Sequence, residues 1–257
     1  MLALSRVNKT FNAGTVNEQH ALRDLSLLLE DGDFVVVVGG NGSGKSTLLN
    51  TIAGVYTPDS GQVVLDGRDV TWIAEHARAR SIGRVFQDPM RGTATDMTIE
   101  ENLALALRRG TRRTLAAGTK RSERATFREA LARLDLGLED RLTTKVGLLS
   151  GGQRQALTLL MATLVKPQIL LLDEHTAALD PKTAKKVLDL SAALIEEDYL
   201  TTLMVTHNMS DAIRFGNRLV MMQEGRIVFE ASGTVKSALT VGELVDKFIS
   251  VGSEVLV

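Results

Sequence analysis

Eight consecutive residues constrain this chain more than any others: Gly39-Gly40-Asn41-Gly42-Ser43-Gly44-Lys45-Ser46, a full match to G-x-x-x-x-G-K-[ST], with Thr47 next. They follow Phe34-Val35-Val36-Val37-Val38, a β-branched run that reads as a strand buried on both faces. They lead into a helical pattern in which Leu48, Leu49, Ile52 and Ala53 share a face, with Gly54 placed as a C-terminal cap. Strand, glycine loop and helix in this order make a phosphate cradle. The glycines let several backbone N–H groups converge on phosphate oxygens, and the helix start adds its partial positive end. Lys45 is a point charge for β- and γ-phosphates, and Ser46 offers a hydroxyl to Mg²⁺, which takes oxygen ligands.

The surrounding pattern is α/β. Leu2-to-Val7, Leu25-to-Glu30, Gln62-to-Leu65 and Ile82-to-Phe86 read as strands, with Asp66-Gly67 as a turn. From about Thr98 to Val165 helical periodicity takes over, opened by Thr98-Ile99-Glu100-Glu101 and later by Ser150-Gly151-Gly152-Gln153, both capping boxes. Pro167 stops the last of these helices. Strands return at Ile169-to-Asp173, Thr202-to-Thr206, Leu219-to-Gln223 and Arg226-to-Glu230, with a helix over 182–197 and a hairpin turn at Glu224-Gly225. The expected organisation is one domain over 1–257. Residues 1–87 and 166–232 form an α/β core, 88–165 an inserted helical subdomain, and 233–257 a tail of one short helix and a loose end.

Composition removes several chemistries. The chain has no cysteine, which excludes a disulfide framework, a thiolate zinc site and a cysteine nucleophile. A net charge of -1 gives no electrostatic case for nucleic acid as a partner. No apolar run approaches the ~18 residues of a spanning helix, and residues 1–9 lack a signal core. The expected location is therefore cytoplasmic.

The run Ile169-Leu170-Leu171-Leu172 ends in Asp173-Glu174. Parallel-sheet enzymes place ligands at the carboxyl ends of strands. Asp173 there suits the Mg²⁺ hydration shell, and Glu174 suits a base for attacking water. As neighbours on an extended chain the two point different ways, which fits two roles. Ser150 caps a helix whose first turn holds two glycines, a costly choice for helix stability that leaves backbone N–H groups open as a second anion site.

Leu149-Ser150-Gly151-Gly152-Gln153, taken with the phosphate loop and the Asp-Glu strand, resembles the nucleotide-binding subunit of ATP-binding cassette (ABC) transporters over about residues 2–232. The resemblance implies an α/β P-loop NTPase core, a mixed sheet with flanking helices plus an N-terminal antiparallel β part, with an inserted helical subdomain. It implies ATP and Mg²⁺ as cofactors and ATPase activity. Phe11 is similar to the family's adenine-stacking aromatic; alternatively it is a core residue. Gln87 resembles the residue linking the Mg²⁺ site to the membrane partner, Asp180 closes an Ala177-Ala178-Leu179-Asp180 turn similar to the family's S-A-L-D, and His207 resembles the γ-phosphate histidine. ATP is then expected between the residue 39–47 loop of one chain and the Ser150-Gly151-Gly152-Gln153 loop of a second copy, head to tail.

The resemblance further implies integral permease subunits as partners, an extracytoplasmic solute-binding protein in the same system, and peripheral attachment to the inner face of the membrane. Most members carry proline after the catalytic glutamate, where this chain has His175; the run Asp173-Glu174-His175-Thr176-Ala177-Ala178-Leu179-Asp180 resembles an importer group with branched-chain-amino-acid-like permeases. The alternatives are the ATPase of a split exporter, a soluble ABC ATPase acting on nucleic acid or ribosomes, and a non-hydrolysing scaffold. One cassette and a short Gln87-to-Leu149 gap oppose the second; Lys45, Asp173, Glu174 and His207 oppose the third. Finally, residues 108–133 hold nine basic and two acidic side chains, read as a solvated face or as a contact for lipid or permease.

Overall fold

Hydrogen-bond ladders and buried strand faces organise the chain into two compact units, Met1–Arg78 with Tyr199–Val257 and Ala79–Asp198. The computed structural model describes residues 1–111 and 118–254. The second unit is wider than the expected 88–165 insertion, because it also takes two strands and a long helix.

In the first unit, β1 (Leu2–Phe11) pairs antiparallel with β2 (Gln19–Leu29) and with β4 (Ser60–Leu65). Both β1 and β2 run beyond the apolar segments that predict them. Pairing continues through Thr10↔His20 and Phe11↔Gln19, since a backbone ladder does not require apolar side chains. The Asp66-Gly67 turn joins β4 to the short β5 (Arg68–Asp69), with φ of 50° and 73°, as a primed hairpin turn demands.

A second sheet in the same unit centres on β3 (Phe34–Gly39). It pairs in parallel with β8 (Thr202–Val205) on one side and β9 (Arg218–Gln223) on the other, and β10 (Arg226–Ser232) closes antiparallel on β9. Val35, Val36, Val37 and Val38 are fully buried, as the unbroken β-branched run requires. The Glu224-Gly225 turn connects β9 to β10 as expected. Helices α1 (Lys45–Ala53), α2 (Glu75–Arg78) and α7 (Met209–Arg214) complete this part. The tail differs from expectation: it forms two helices, α8 (Gly233–Ala238) and α9 (Val241–Glu254). A reciprocal Thr240–Glu243 cap starts α9, and Leu244 is buried beneath it.

In the second unit, β6 (Ile82–Val85) and β7 (Ile169–Asp173) are parallel, in register from Ile82↔Ile169 to Val85↔Leu172. Around them lie α3 (Ile99–Leu107), α4 (Arg124–Ala132), α5 (Gly151–Thr163) and α6 (Pro181–Glu197). The Thr98–Glu101 capping box starts α3, as the sequence predicts. Phe127 and Leu131 anchor α4 in the core. No described helix is long and apolar enough to cross a membrane.

Most of the described basic stretch is internally engaged. Arg108 pairs with Glu123, Arg124 with Glu100, and Arg133 with Glu197 and Asp198. Arg109 donates to the carbonyls of Ala162 and Val165, where α5 ends. Lys120, Arg121 and Arg128 are exposed. Arg112 and Arg113 lie outside the described residues.

Candidate nucleotide site

The phosphate loop is braced from two sides within the first unit. Gly44 caps α1 in a left-handed conformation (φ 100°), and a Cβ there would stand 2.4 Å from the Ala21 carbonyl oxygen, so only glycine fits. The β9–β10 turn approaches the same point: Gly225 N–H donates to Ser43 O, and Arg23 N–H donates to Gly225 O. Lys45 is buried (7% exposed), and its Nζ donates to the carbonyls of Gly39 (2.8 Å) and Gly40 (2.9 Å). The ammonium is thus held inside the loop by backbone oxygens. Ser46 is exposed in the first turn of α1, as are Asn41 and Gly42 in the loop; Thr47 is half-buried. This backbone cradle around a fixed ammonium fits a phosphate chain.

Two further expected residues belong to this unit. His207 is exposed just past β8. The parallel pairing of β3 with β8 ends at Val37↔Val205, two residues before His207. Phe11 ends β1 half-buried, with its ring edge-on to Tyr56 at 5.1 Å between centroids. One face of this pair is therefore engaged in a T-shaped aromatic contact.

The second unit holds the carboxylates. Asp173 ends β7 and Gln87 lies two residues past β6; both line a cleft of about 300 Å³ with Phe86, Asp88, Arg91 and Ala178. Buried Gln155 of α5 donates from Nε2 to Phe86 O (3.1 Å) and so fixes the backbone just before Gln87. Glu174 differs from the expected extended geometry. Its φ is 43°, a left-handed conformation costing about 1–2 kcal/mol for a residue with a Cβ. The turn it starts is closed by Ala177 N–H donating to Glu174 O (2.9 Å). Asp173 and Glu174 therefore diverge through a backbone reversal rather than strand alternation. Asp180 caps α6, accepting from Thr183 N–H (3.1 Å), and this hydrogen bonding holds its carboxyl below the usual range.

Ser150 caps α5 as predicted: its Oγ accepts from Gln153 N–H (3.3 Å), and its N–H donates to Gln153 Oε1 (3.2 Å). The Gln153 side chain is thus engaged in the cap. Gly152 has a reason beyond open N–H groups, because a Cβ would lie 2.2 Å from Thr183 Cγ2 on α6. The close approach of α5 and α6 forces glycine there. Ser150 and Gln153 border a second cleft, about 430 Å³, with Lys182 and Thr183.

Within the second unit Gln87 and Asp173 are hard oxygen donors of the kind Mg²⁺ takes, and within the first unit Ser46 is another. One residue the sequence reading passed over stands beside Asp173. Arg84 Nη2 lies 3.5 Å from Asp173 Oδ2. The available signal was a lone arginine inside Ile82-Gly83-Arg84-Val85, since a charge in a buried strand needs a counter-charge. Phe248 of α9 gave no such signal. Its Cζ lies 3.2 Å from the Cβ position of Gly40 in the phosphate loop.

The chain is also similar to known proteins. The model of the ABC transporter family matches residues 22–177. A tyrosine transport ATP-binding protein of Clostridioides difficile (strain R20291) is 44% identical over 96% of this chain and 98% of its own. A sulfate/thiosulfate import ATP-binding protein of Synechococcus elongatus is 39% identical over 88% of this chain, which spans only 61% of that relative. Among solved structures, the dimeric post-hydrolysis state of the ATP-binding cassette MJ0796 bound to ADP and Pi has a TM-score of 0.75 at 34% identity, covering 90% of this chain and 98% of that one. The ADP conformation of MJ1267, a cassette of an ABC transporter, has a TM-score of 0.79 at 27% identity, covering 97% and 98%.

Proposed function

The chain belongs to the ABC transporter family as an ATP-binding subunit, and from that premise we propose that it drives uptake of a small solute, an amino acid, through a separate membrane permease. It is an ATPase of the cassette type. The observation that carries the motor reading is the braced loop that holds Lys45 Nζ on the Gly39 and Gly40 carbonyls at the start of α1. A nucleotide's phosphates replace those carbonyls as partners for Lys45, while the loop's N–H groups receive the remaining oxygens. Glu174 accepts the proton of the water that attacks the γ-phosphorus, as the bond to the β-phosphate oxygen breaks and ADP leaves. His207 orients the γ-phosphate, and Phe11 supports the adenine. Ser46, Gln87 and Asp173 would hold Mg²⁺, which would supply positive charge to offset that on the phosphate oxygens.

The importer reading is supported by a relative named for sulfate/thiosulfate import, and the amino-acid cargo by a near-full-length relative named for tyrosine transport. In this reading the partners are a second copy of the chain, permease subunits resembling those for branched-chain amino acids, and an extracytoplasmic solute-binding protein. The chain then sits in the cytoplasm against the inner face of the membrane.

Glu174→Gln tests the motor. The amide keeps the shape but takes no proton, so hydrolysis falls by about 10²–10⁴ while ATP still binds. Sizing chromatography with ATP and Mg²⁺ then shows an accumulated dimer that the wild type does not build up. Hydrolysis within a few-fold of wild type moves the base elsewhere, His207 first; lost ATP binding makes Glu174 structural. Co-purification of a permease with this chain from its native membranes, and uptake of labelled amino acid by the complex, test the cargo.

A further inference from the structure

Asp173 and Arg84 form an ion pair in a nearly closed setting. Their side chains are only 17% and 13% exposed, with Nη2 3.5 Å from Oδ2. They come from the ends of two parallel, hydrogen-bonded strands, so the pairing is set by sheet register rather than by a flexible surface meeting. Arg84 is further pinned by stacking, its Cζ 4.6 Å from the centroid of the Phe86 ring. Arg91 approaches the same ring at 5.4 Å. A guanidinium that is both stacked and paired has little freedom to swing away. The carboxylate it holds borders the cleft that Gln87 also lines.

We propose that Arg84 is a built-in counter-ion for Asp173, a positioning residue that keeps this carboxylate aimed and neutralised when no metal is bound and that competes with Mg²⁺ for it. The proposal rests on the reading of Asp173 as the metal-holding carboxylate. A nearly buried carboxylate is disfavoured without positive charge nearby, so Asp173 needs a cation beside it when no metal is bound. Arg84 removes that penalty in the metal-free state. The same cation repels an arriving dication across a short, poorly screened distance. The pair therefore lowers the preference for metal-loaded over metal-free nucleotide, and it eases metal release after each turnover.

The preference is measured as the ratio of dissociation constants for a fluorescent ATP analogue in EDTA and in saturating Mg²⁺, on the full chain. Arg84→Gln should raise that ratio about fivefold. Arg84→Lys, which restores the charge, should return it to within twofold of wild type. In an Asp173→Asn background the effect of Arg84→Gln should vanish. A folded Arg84→Gln protein with a lower melting temperature but an unchanged ratio overturns the proposal, as does an effect that persists in Asp173→Asn. If Arg84→Gln does not fold, Arg84→Met, which keeps the packing on Phe86, is read by the same criteria. Asp173→Asn alone separates the two levels. If it leaves the wild-type ratio intact, the reading of Asp173 has failed; if it collapses the ratio while Arg84→Gln changes nothing, only the counter-ion proposal has failed.

Discussion

His175 directly follows Glu174, yet its ring is 2% exposed and forms its hydrogen bond to Ser191 on α6 (Nε2 to Oγ, 3.0 Å). Ser191 Oγ already donates to Val187 O (2.7 Å), so its oxygen accepts and Nε2 carries the proton of a neutral imidazole. Burial pushes the His175 pKa down to about 4, from 6.5. The unfolded chain therefore binds the extra proton first as pH falls. The stability contributed by neutral His175 is complete above pH 6.5 and is lost progressively toward pH 4. That loss amounts to about 2 kcal/mol between pH 7.5 and pH 5. Urea unfolding at the two pH values, compared with His175→Gln, should show the variant losing less stability by that amount. Equal losses in both proteins would place the acid sensitivity in other groups. At this scale the departure from proline after Glu174 has a physical content: the turn is pinned to α6 by a buried hydrogen bond.

Among the elements, α5 carries the largest share of the functional geometry. Its first turn holds Ser150 and Gly152, its middle holds Gln155 against Phe86, and its last carbonyls are met by Arg109. The arginine-rich stretch is thus partly a device for ending this helix. Burial lowers the Arg109 pKa from its ordinary value; a guanidinium nonetheless stays charged in proteins. Arg109→Ala should cost about 2 kcal/mol, from charged hydrogen bonds lost to carbonyls left at a helix end. The expected fall in melting temperature is roughly 5 °C. Arg128→Ala, at an exposed position on α4, should stay within about 0.5 kcal/mol of wild type. Thermal unfolding of the two variants side by side decides between a structural and a purely solvated stretch, and similar small effects would favour the latter. Reversing Arg108 and Arg109 together is consequently a poor probe of membrane coupling, since it damages α5 as well.

For the whole molecule the question is whether two chains share nucleotide as proposed. Ser150→Arg fills the space where a partner's γ-phosphate is proposed to sit, but it also removes the α5 cap. Ser150→Ala removes the same cap, worth about 1 kcal/mol, without filling that space. In a Glu174→Gln background with ATP, Ser150→Ala should still yield the dimer on sizing chromatography, whereas Ser150→Arg should remain monomeric while binding nucleotide. Dimerisation of both would remove the head-to-tail arrangement.

The sequence by itself determined what short-range backbone chemistry controls. The strand–loop–helix around Lys45, the boxes at Thr98 and Ser150, the Gly54 cap and the turns at Asp66-Gly67 and Glu224-Gly225 each depend on residues within a few positions of one another. The carboxylate pair was legible for the same reason, as charges abruptly ending an apolar strand. What only the tertiary structure decided is which distant segments meet. Arg84 finds Asp173 because β6 and β7 are adjacent, Gly152 is required because α6 brings Thr183 close, and Arg109 ends a helix that begins far along the chain. The left-handed Glu174 and the second tail helix belong here too, since a costly backbone conformation and a marginal short helix persist only where surrounding packing holds them.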